Sequence, residues 1–107
     1  MHDKQLTQAA RDVLDERRRQ IEAEGWTPEH DDDHYPGCLA SAAMGYAQSA
    51  TCQLSHGEPL EGTPLFWPWE LPWWRPSTPR RDLVKAAALI IAEIERLDRA
   101  AAVKVMP

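Results

Sequence analysis

The stretch FWPWELPWWRP, residues 66–76, is the part of the sequence that decides how the chain folds. It holds four of the five tryptophans and the only phenylalanine among 107 residues. Its three prolines, Pro68, Pro72 and Pro76, exclude a regular helix and disfavour a central strand, because proline lacks the backbone N–H that both structures use. We therefore predict an aromatic loop at about residues 64–78 that fills part of the core and shapes a pocket.

Three segments with the periodicity of α-helices surround this loop. They are predicted at about residues 7–24, 38–53 and 79–103. Thr7 is a suitable N-cap for the first segment, and Thr78-Pro79 marks the start of the third. The middle segment is apolar on nearly all sides and mostly alanine, as expected of a helix packed against several neighbours. The prediction is an all-α fold, a single three-helix domain over residues 1–107 with a long tryptophan- and proline-rich crossover loop.

The third helical segment carries an apolar stripe whose spacing alternates between four and three residues. The stripe consists of Leu83, Ala87, Ile90, Ile94, Leu97 and Ala101. Such a stripe suits either a helix bundle or the seam of a dimer. Because a short chain gains core volume by pairing, we expect a homodimer.

The net charge and the hydropathy of the chain argue against nucleic-acid and membrane partners. The chain has 12 basic and 17 acidic residues, a formal net charge of -5, which is unfavourable for binding the phosphate backbone of nucleic acids. Its most apolar window, Ala86 to Ala92, is far shorter than the roughly 20 residues of a membrane span. We therefore expect a cytoplasmic protein with neither a membrane nor a nucleic-acid partner. Cys38 and Cys52 are then expected to be thiols.

A run of acidic and histidine side chains precedes the middle helix and is a candidate metal site. It consists of Glu29, His30, Asp31, Asp32, Asp33 and His34. Carboxylates suit Mg²⁺ or Mn²⁺, and the two imidazoles would add ligands for Zn²⁺. The alternative is structural: the aspartates cap the following helix, whose positive end favours them, and the histidines are exposed.

Tryptophans and arginines near the start of the last helix form a candidate ligand site. Its members are Trp26, Trp73, Trp74, Arg75, Arg80 and Arg81. Indole faces can stack a nucleobase, and arginines at a helix N-terminus can hold phosphate. The alternative is that tryptophans supply core volume that alanine-rich helices lack, with Trp26 the strongest case. Within the loop, Trp67 and Trp69 are predicted to fill the core, and Trp73 and Trp74 to contact ligand.

Several motifs resemble those of known families. The segments ERRRQIEAEGWTPEHDDDH, LASAAMGYA, FWPW, WWRP and RRDLVKAAALIIAEIERLDR resemble a family of small α-helical proteins encoded by tailed phages and prophages, over nearly the whole chain. This resemblance implies the cytoplasm of a bacterial host cell. The shorter run GWTP followed by HDD is similar to RyR-type domains, whose bacterial and phage versions are suspected nucleotide binders.

The last helix is similar to the closing helix of MazG-like all-α nucleoside triphosphate pyrophosphohydrolases. That resemblance implies an ExxE pair and an ExxD pair holding Mg²⁺ against the substrate's phosphates. At the ExxD position this chain has Asp82 and Lys85, which places an ammonium where a metal ligand belongs. Glu58 and Glu61 have the ExxE spacing but lie in a glycine- and proline-rich loop. The enzyme's metal site is therefore not intact in the sequence, and binding is favoured over catalysis.

Three functions follow from these observations. The first is a phage accessory protein that binds a nucleotide or nucleotide-derived signal and sequesters it from host defence. The second is a divergent metal-dependent nucleotide pyrophosphohydrolase that uses the acidic and histidine run. The third is an acidic protein inhibitor of a host nucleic-acid-handling complex, with tryptophans as binding hot spots. We favour the first.

Overall fold

The computed structural model describes residues 5–33 and 36–105, and it is built from helices. The elements are α1 (Gln8–Glu22), α2 (Pro28–Asp32), α3 (Cys38–His56), a 3-10 helix (Leu71–Trp73) and α4 (Pro79–Val105). These described ranges contain no strand, which confirms the predicted all-α class. The three long helices end within three residues of the predicted positions. None of the helices described is both long enough and apolar enough to cross a bilayer.

Helix α1 begins at a capped turn and turns a polar face inward. The Thr7 side chain accepts a hydrogen bond from the Ala10 N–H at 3.1 Å, as an N-cap residue should. The residues of α1 that are buried are Glu16, Arg17 and Gln20, all polar. The helix is therefore held by hydrogen bonds and ion pairs more than by an apolar stripe.

Helix α2 lies between the first and second predicted helical segments, where no helix was predicted. Thr27 caps it by accepting from the His30 N–H at 3.3 Å, and Pro28 occupies its first turn. This is the same hydroxyl-then-proline signal that marks the start of α4 at Thr78-Pro79. With only five residues, α2 is too short to show helical periodicity, which is why the sequence pattern did not indicate it.

The apolar core lies between α3 and α4 and is closed by aromatic rings. Its buried members are Trp26, Leu39, Ala42, Ala43, Tyr46, Ala86, Leu89 and Ala92, with Trp67, Trp69 and Trp74 packed against them. The crossover loop approaches α3 at Gly45, where a side-chain β-carbon would lie 3.1 Å from a Pro64 ring carbon. Glycine at this position thus lets the loop pack closely on the helix.

The face of α4 that packs into the core is not the face that carries the apolar stripe. Its buried apolar residues include Val84, Ala88 and Leu89. The large residues of the stripe, Leu83, Ile90, Ile94 and Leu97, are between 46% and 54% exposed. About half of each of these side chains is therefore left uncovered by the chain, and a dimer seam stays a prediction.

A buried ionic network joins the helices. Arg17 donates to the Trp26 carbonyl at 3.2 Å, to Asp31 at 3.1 Å and to Glu95 at 3.1 Å. The adjacent Glu16 is also buried and pairs with Arg19 and with Arg81 of α4. Burial by itself would raise the pKa of Glu16, but the hydrogen bond and charge of Arg19 and the charge of Arg81 lower it below the ordinary value. The Glu16 carboxylate therefore stays ionised at neutral pH.

Candidate functional site

A cleft of about 560 Å³ opens between the end of α1, α2 and the aromatic loop. It is lined by Glu24, Trp26, His30, Pro68, Trp69, Glu70 and Trp73. Its volume falls within the range of about 300 to 1,000 Å³ that is usual for small-molecule sites. We call it the tryptophan cleft.

Three indole rings form the apolar surface of the tryptophan cleft. Trp26 is central, with its ring centroid 5.2 Å from that of Trp69 and 5.9 Å from that of Trp73. Both neighbouring rings are inclined to it by 47°. Trp26 is only 8% exposed and Trp73 is 37% exposed, so Trp26 is the base of the cleft and Trp73 its accessible wall. Such an arrangement can stack a flat ligand ring.

Backbone contacts fix the two segments that carry these rings. Trp26 is held on both sides of its peptide group, since its N–H donates to the Gln20 carbonyl at 2.9 Å and its carbonyl accepts from Arg17. The 3-10 turn is held by the Trp73 N–H, which donates to the Glu70 carbonyl at 3.1 Å. The Trp73 carbonyl in turn accepts from the Tyr46 hydroxyl at 3.3 Å. The cleft is therefore built on ordered backbone.

The predicted division of the loop tryptophans into two pairs needs correction. Trp74 does not line the tryptophan cleft but packs on Tyr46, at 4.8 Å between ring centroids, and on Trp67, at 5.0 Å. Trp69, predicted as a core residue, packs on the core and also lines the cleft. The 3-10 helix ends at Trp73, so the adjacent rings of Trp73 and Trp74 take different directions.

Two of the three candidate arginines are not brought together with the tryptophans. Arg80 pairs with Asp12 of α1 at 2.9 Å, and Arg81 pairs with the buried Glu16. Only Arg75 is close to the cleft, with its guanidinium carbon 5.5 Å from the centroid of the Trp73 ring. Arg80 and Arg81 were predicted to bind phosphate at the start of the last helix. Two carboxylates of α1 hold them instead.

The acidic and histidine run is spread over separate ion pairs. Asp31 is buried against Arg17, and Asp32 accepts from Arg99 at 2.8 Å, a hydrogen bond that lowers the pKa of Asp32. Glu29 and Asp33 are exposed, and His34 lies outside the described residues. Among the residues that the structure describes, no three His, Cys, Asp or Glu side chains converge on a possible metal position. The Mg²⁺ or Mn²⁺ site therefore has no geometric support from these residues.

A small polar cavity of about 20 Å³ lies behind the tryptophan cleft. It shares Glu24, Trp26 and Trp73 with the cleft and is also lined by Arg75 and Lys85. The Lys85 ammonium donates to the Arg75 carbonyl at 2.6 Å and lies 5.3 Å from the centroid of the Tyr46 ring. Burial lowers the pKa of Lys85. A cavity of this size suits a single water molecule and is too small for a phosphate group.

Sequence reasoning missed several of the groups that shape the site. Glu24 looked like one of many surface charges on α1, yet it lines the cleft and accepts from Arg19 at 2.9 Å. Glu70 looked like an ordinary loop residue, yet it also lines the cleft. The sequence signal for Glu70 was its position in WPWELPW, with a proline two residues away on each side. These prolines restrict the backbone of the loop that carries Glu70.

Comparison with protein-family models, with curated proteins and with solved structures found no match. The resemblances to phage proteins, to MazG-like enzymes and to RyR-type domains therefore stay predictions, and the geometry of the cleft carries the functional argument.

The packing of Trp74 on Tyr46 and Trp67 predicts that its ring stabilises the fold, unlike an exposed ring of the same loop. Trp74→Ala removes a half-buried ring between Tyr46 and Trp67 and should lower the free energy of unfolding by about 3 kcal/mol. Phe66→Ala, which removes an exposed ring from the same loop, should change it by less than about 0.5 kcal/mol. Urea unfolding followed by circular dichroism measures both. Equal midpoints for Trp74→Ala and the unaltered chain would show that Trp74 is not part of the core.

Proposed function

We propose that this chain binds a nucleotide or nucleotide-derived signal, with the base stacked in the tryptophan cleft. The observation that supports the proposal is the set of three indoles, Trp26, Trp69 and Trp73, which border a ligand-sized cleft. Core filling alone would bury all three rings, but Trp73 remains 37% exposed. Each stacked base contributes about 1 to 3 kcal/mol in proteins that use aromatic platforms.

Arg75 is the phosphate-binding group in this proposal. Its side chain is 61% exposed and lies over Trp73, at the edge of the cleft. Its guanidinium is 3.6 Å from the Glu24 carboxylate, which is longer than a hydrogen bond, so this contact can be exchanged for one to phosphate. A ligand with its base on Trp73 would thus place a phosphate within reach of Arg75.

Sequestration is the role that fits a cleft of this kind. The stacking surface and the nearby arginine bind and orient a nucleotide, and the proposal assigns no residue to bond cleavage. Chromatography of the nucleotide after prolonged incubation with Mg²⁺ or Mn²⁺ separates the two outcomes. Unchanged nucleotide fits sequestration, whereas release of pyrophosphate or phosphate would favour the hydrolase.

Replacement of Trp73 tests the binding site directly. Isothermal titration calorimetry with adenosine, guanosine, cytidine and their 5′-monophosphates should show binding to the unaltered chain. Trp73→Ala should weaken it by about tenfold or more, because the accessible stacking face is lost. Phe66→Ala is the matched control, since Phe66 is an exposed aromatic residue outside the cleft. Absence of binding across the panel, or an affinity that Trp73→Ala leaves unchanged, would contradict the proposal.

We also propose that the stripe on α4 pairs with the same stripe on a second copy of the chain. Its four large residues are about half-exposed, and no charged residue interrupts the alternating four and three spacing. A regular seam of this kind is self-complementary, because each apolar side chain can insert between those of an identical helix.

Sedimentation velocity tests the dimer. The unaltered chain should sediment as a dimer, and Ile94→Lys should sediment as a monomer because a charge enters the centre of the seam. Met44→Lys, at a similarly exposed apolar residue on α3, should leave the dimer intact. A single-chain mass for the unaltered protein at all concentrations would contradict the pairing.

A further inference from the structure

The polar side chains that line the tryptophan cleft are two carboxylates and an imidazole. Glu24 and Glu70 both line it, and His30 is the third polar residue; none of the described residues that line it is a lysine or an arginine. The electron-rich faces of three indoles add to this character, because the quadrupole of an aromatic ring attracts cations to its face. The lining therefore favours a positively charged group over a neutral or negative one.

The two carboxylates differ in how far they are already neutralised. Glu24 accepts from Arg19 at 2.9 Å and is near Arg75, so much of its charge is compensated. The Glu70 carboxylate has no hydrogen bond or ion pair with any residue that the structure describes. The structural contacts of Glu70 are made by its backbone carbonyl, which accepts from the Trp67 indole at 3.2 Å and from the Trp73 N–H. Its side chain is thus available to a ligand.

We infer that the tryptophan cleft selects a flat ring that carries a positive charge, such as a nucleoside with an N-alkylated base, and that Glu70 is the residue that sets this preference. The inference rests on the proposed function and goes beyond it by naming the charge of the base. A cationic ring would stack on Trp73 and place its charge near the Glu70 carboxylate. Arg75, outside the lining, stays available for a phosphate on the same molecule.

A pair of nucleosides that differ by one methyl group tests the inference. 1-Methyladenosine carries a positively charged ring at neutral pH, and adenosine is its neutral counterpart. Calorimetry should show that the unaltered chain binds 1-methyladenosine about tenfold more tightly than adenosine. Glu70→Gln keeps the shape of the side chain and the backbone contacts, and it should bring the ratio of the two affinities close to one. Glu58→Gln, at an exposed acidic residue outside the cleft, should leave the ratio unchanged.

The outcomes separate this inference from the proposed function. Equal affinities for the two nucleosides, or a ratio of affinities that Glu70→Gln does not lower, would overturn the charge preference. The proposed function would still stand in that case if adenosine binds and Trp73→Ala abolishes its binding. Failure of the unaltered chain to bind either nucleoside would overturn the charge preference, and the proposed function would fall only if the nucleosides and 5′-monophosphates of the wider panel also fail to bind.

Discussion

The buried guanidinium of Arg17 is the interaction on which the arrangement of this small protein depends. It donates to a carboxylate of α2, to a carboxylate of α4 and to the backbone carbonyl of Trp26, so that one side chain of α1 holds three other segments. Removing such a charge from water costs several kcal/mol, and the cost is offset only when the donors find good partners. Arg17 has them, and they determine where Trp26 and α2 lie. The base of the tryptophan cleft is thus positioned by an ionic network.

Aromatic rings complete what the alanine-rich helices leave unfilled. The helix surfaces of α3 and α4 that face each other carry mostly alanine, with Leu39 and Leu89 as the large aliphatic residues. Tyr46 links this core to the crossover loop, because its ring packs on Trp67 and Trp74 and its hydroxyl bonds to the backbone at Trp73 and Arg75. Packing on one side of the loop therefore orders the other side, where Trp73 is 37% exposed.

Sequence patterns predicted the elements whose signals are local. The hydroxyl cap of Thr7, the Thr78-Pro79 start of α4 and the proline-interrupted aromatic loop each follow from the chemistry of a few neighbouring residues. The ion pairs did not follow, because Arg17 and Glu95 are 78 positions apart and nothing local identifies them as partners. The same limit explains the candidate phosphate site. Arg80 and Arg81 stand at a helix start as predicted, but Asp12 and Glu16 of a distant helix hold them.

Core filling and ligand contact were predicted as alternative roles for each tryptophan, but one tryptophan can pack on the core and also line the cleft. Trp26 and Trp69 pack on the core and also line the cleft, whereas Trp67 and Trp74 only pack. This division can be observed residue by residue, because each of the five indoles has its own N–H signal in a nitrogen-15-correlated NMR spectrum. On titration with adenosine, we expect the signals of Trp26, Trp69 and Trp73 to shift and those of Trp67 and Trp74 to stay in place. The largest shifts at Trp67 and Trp74, or no shift at any indole, would contradict it.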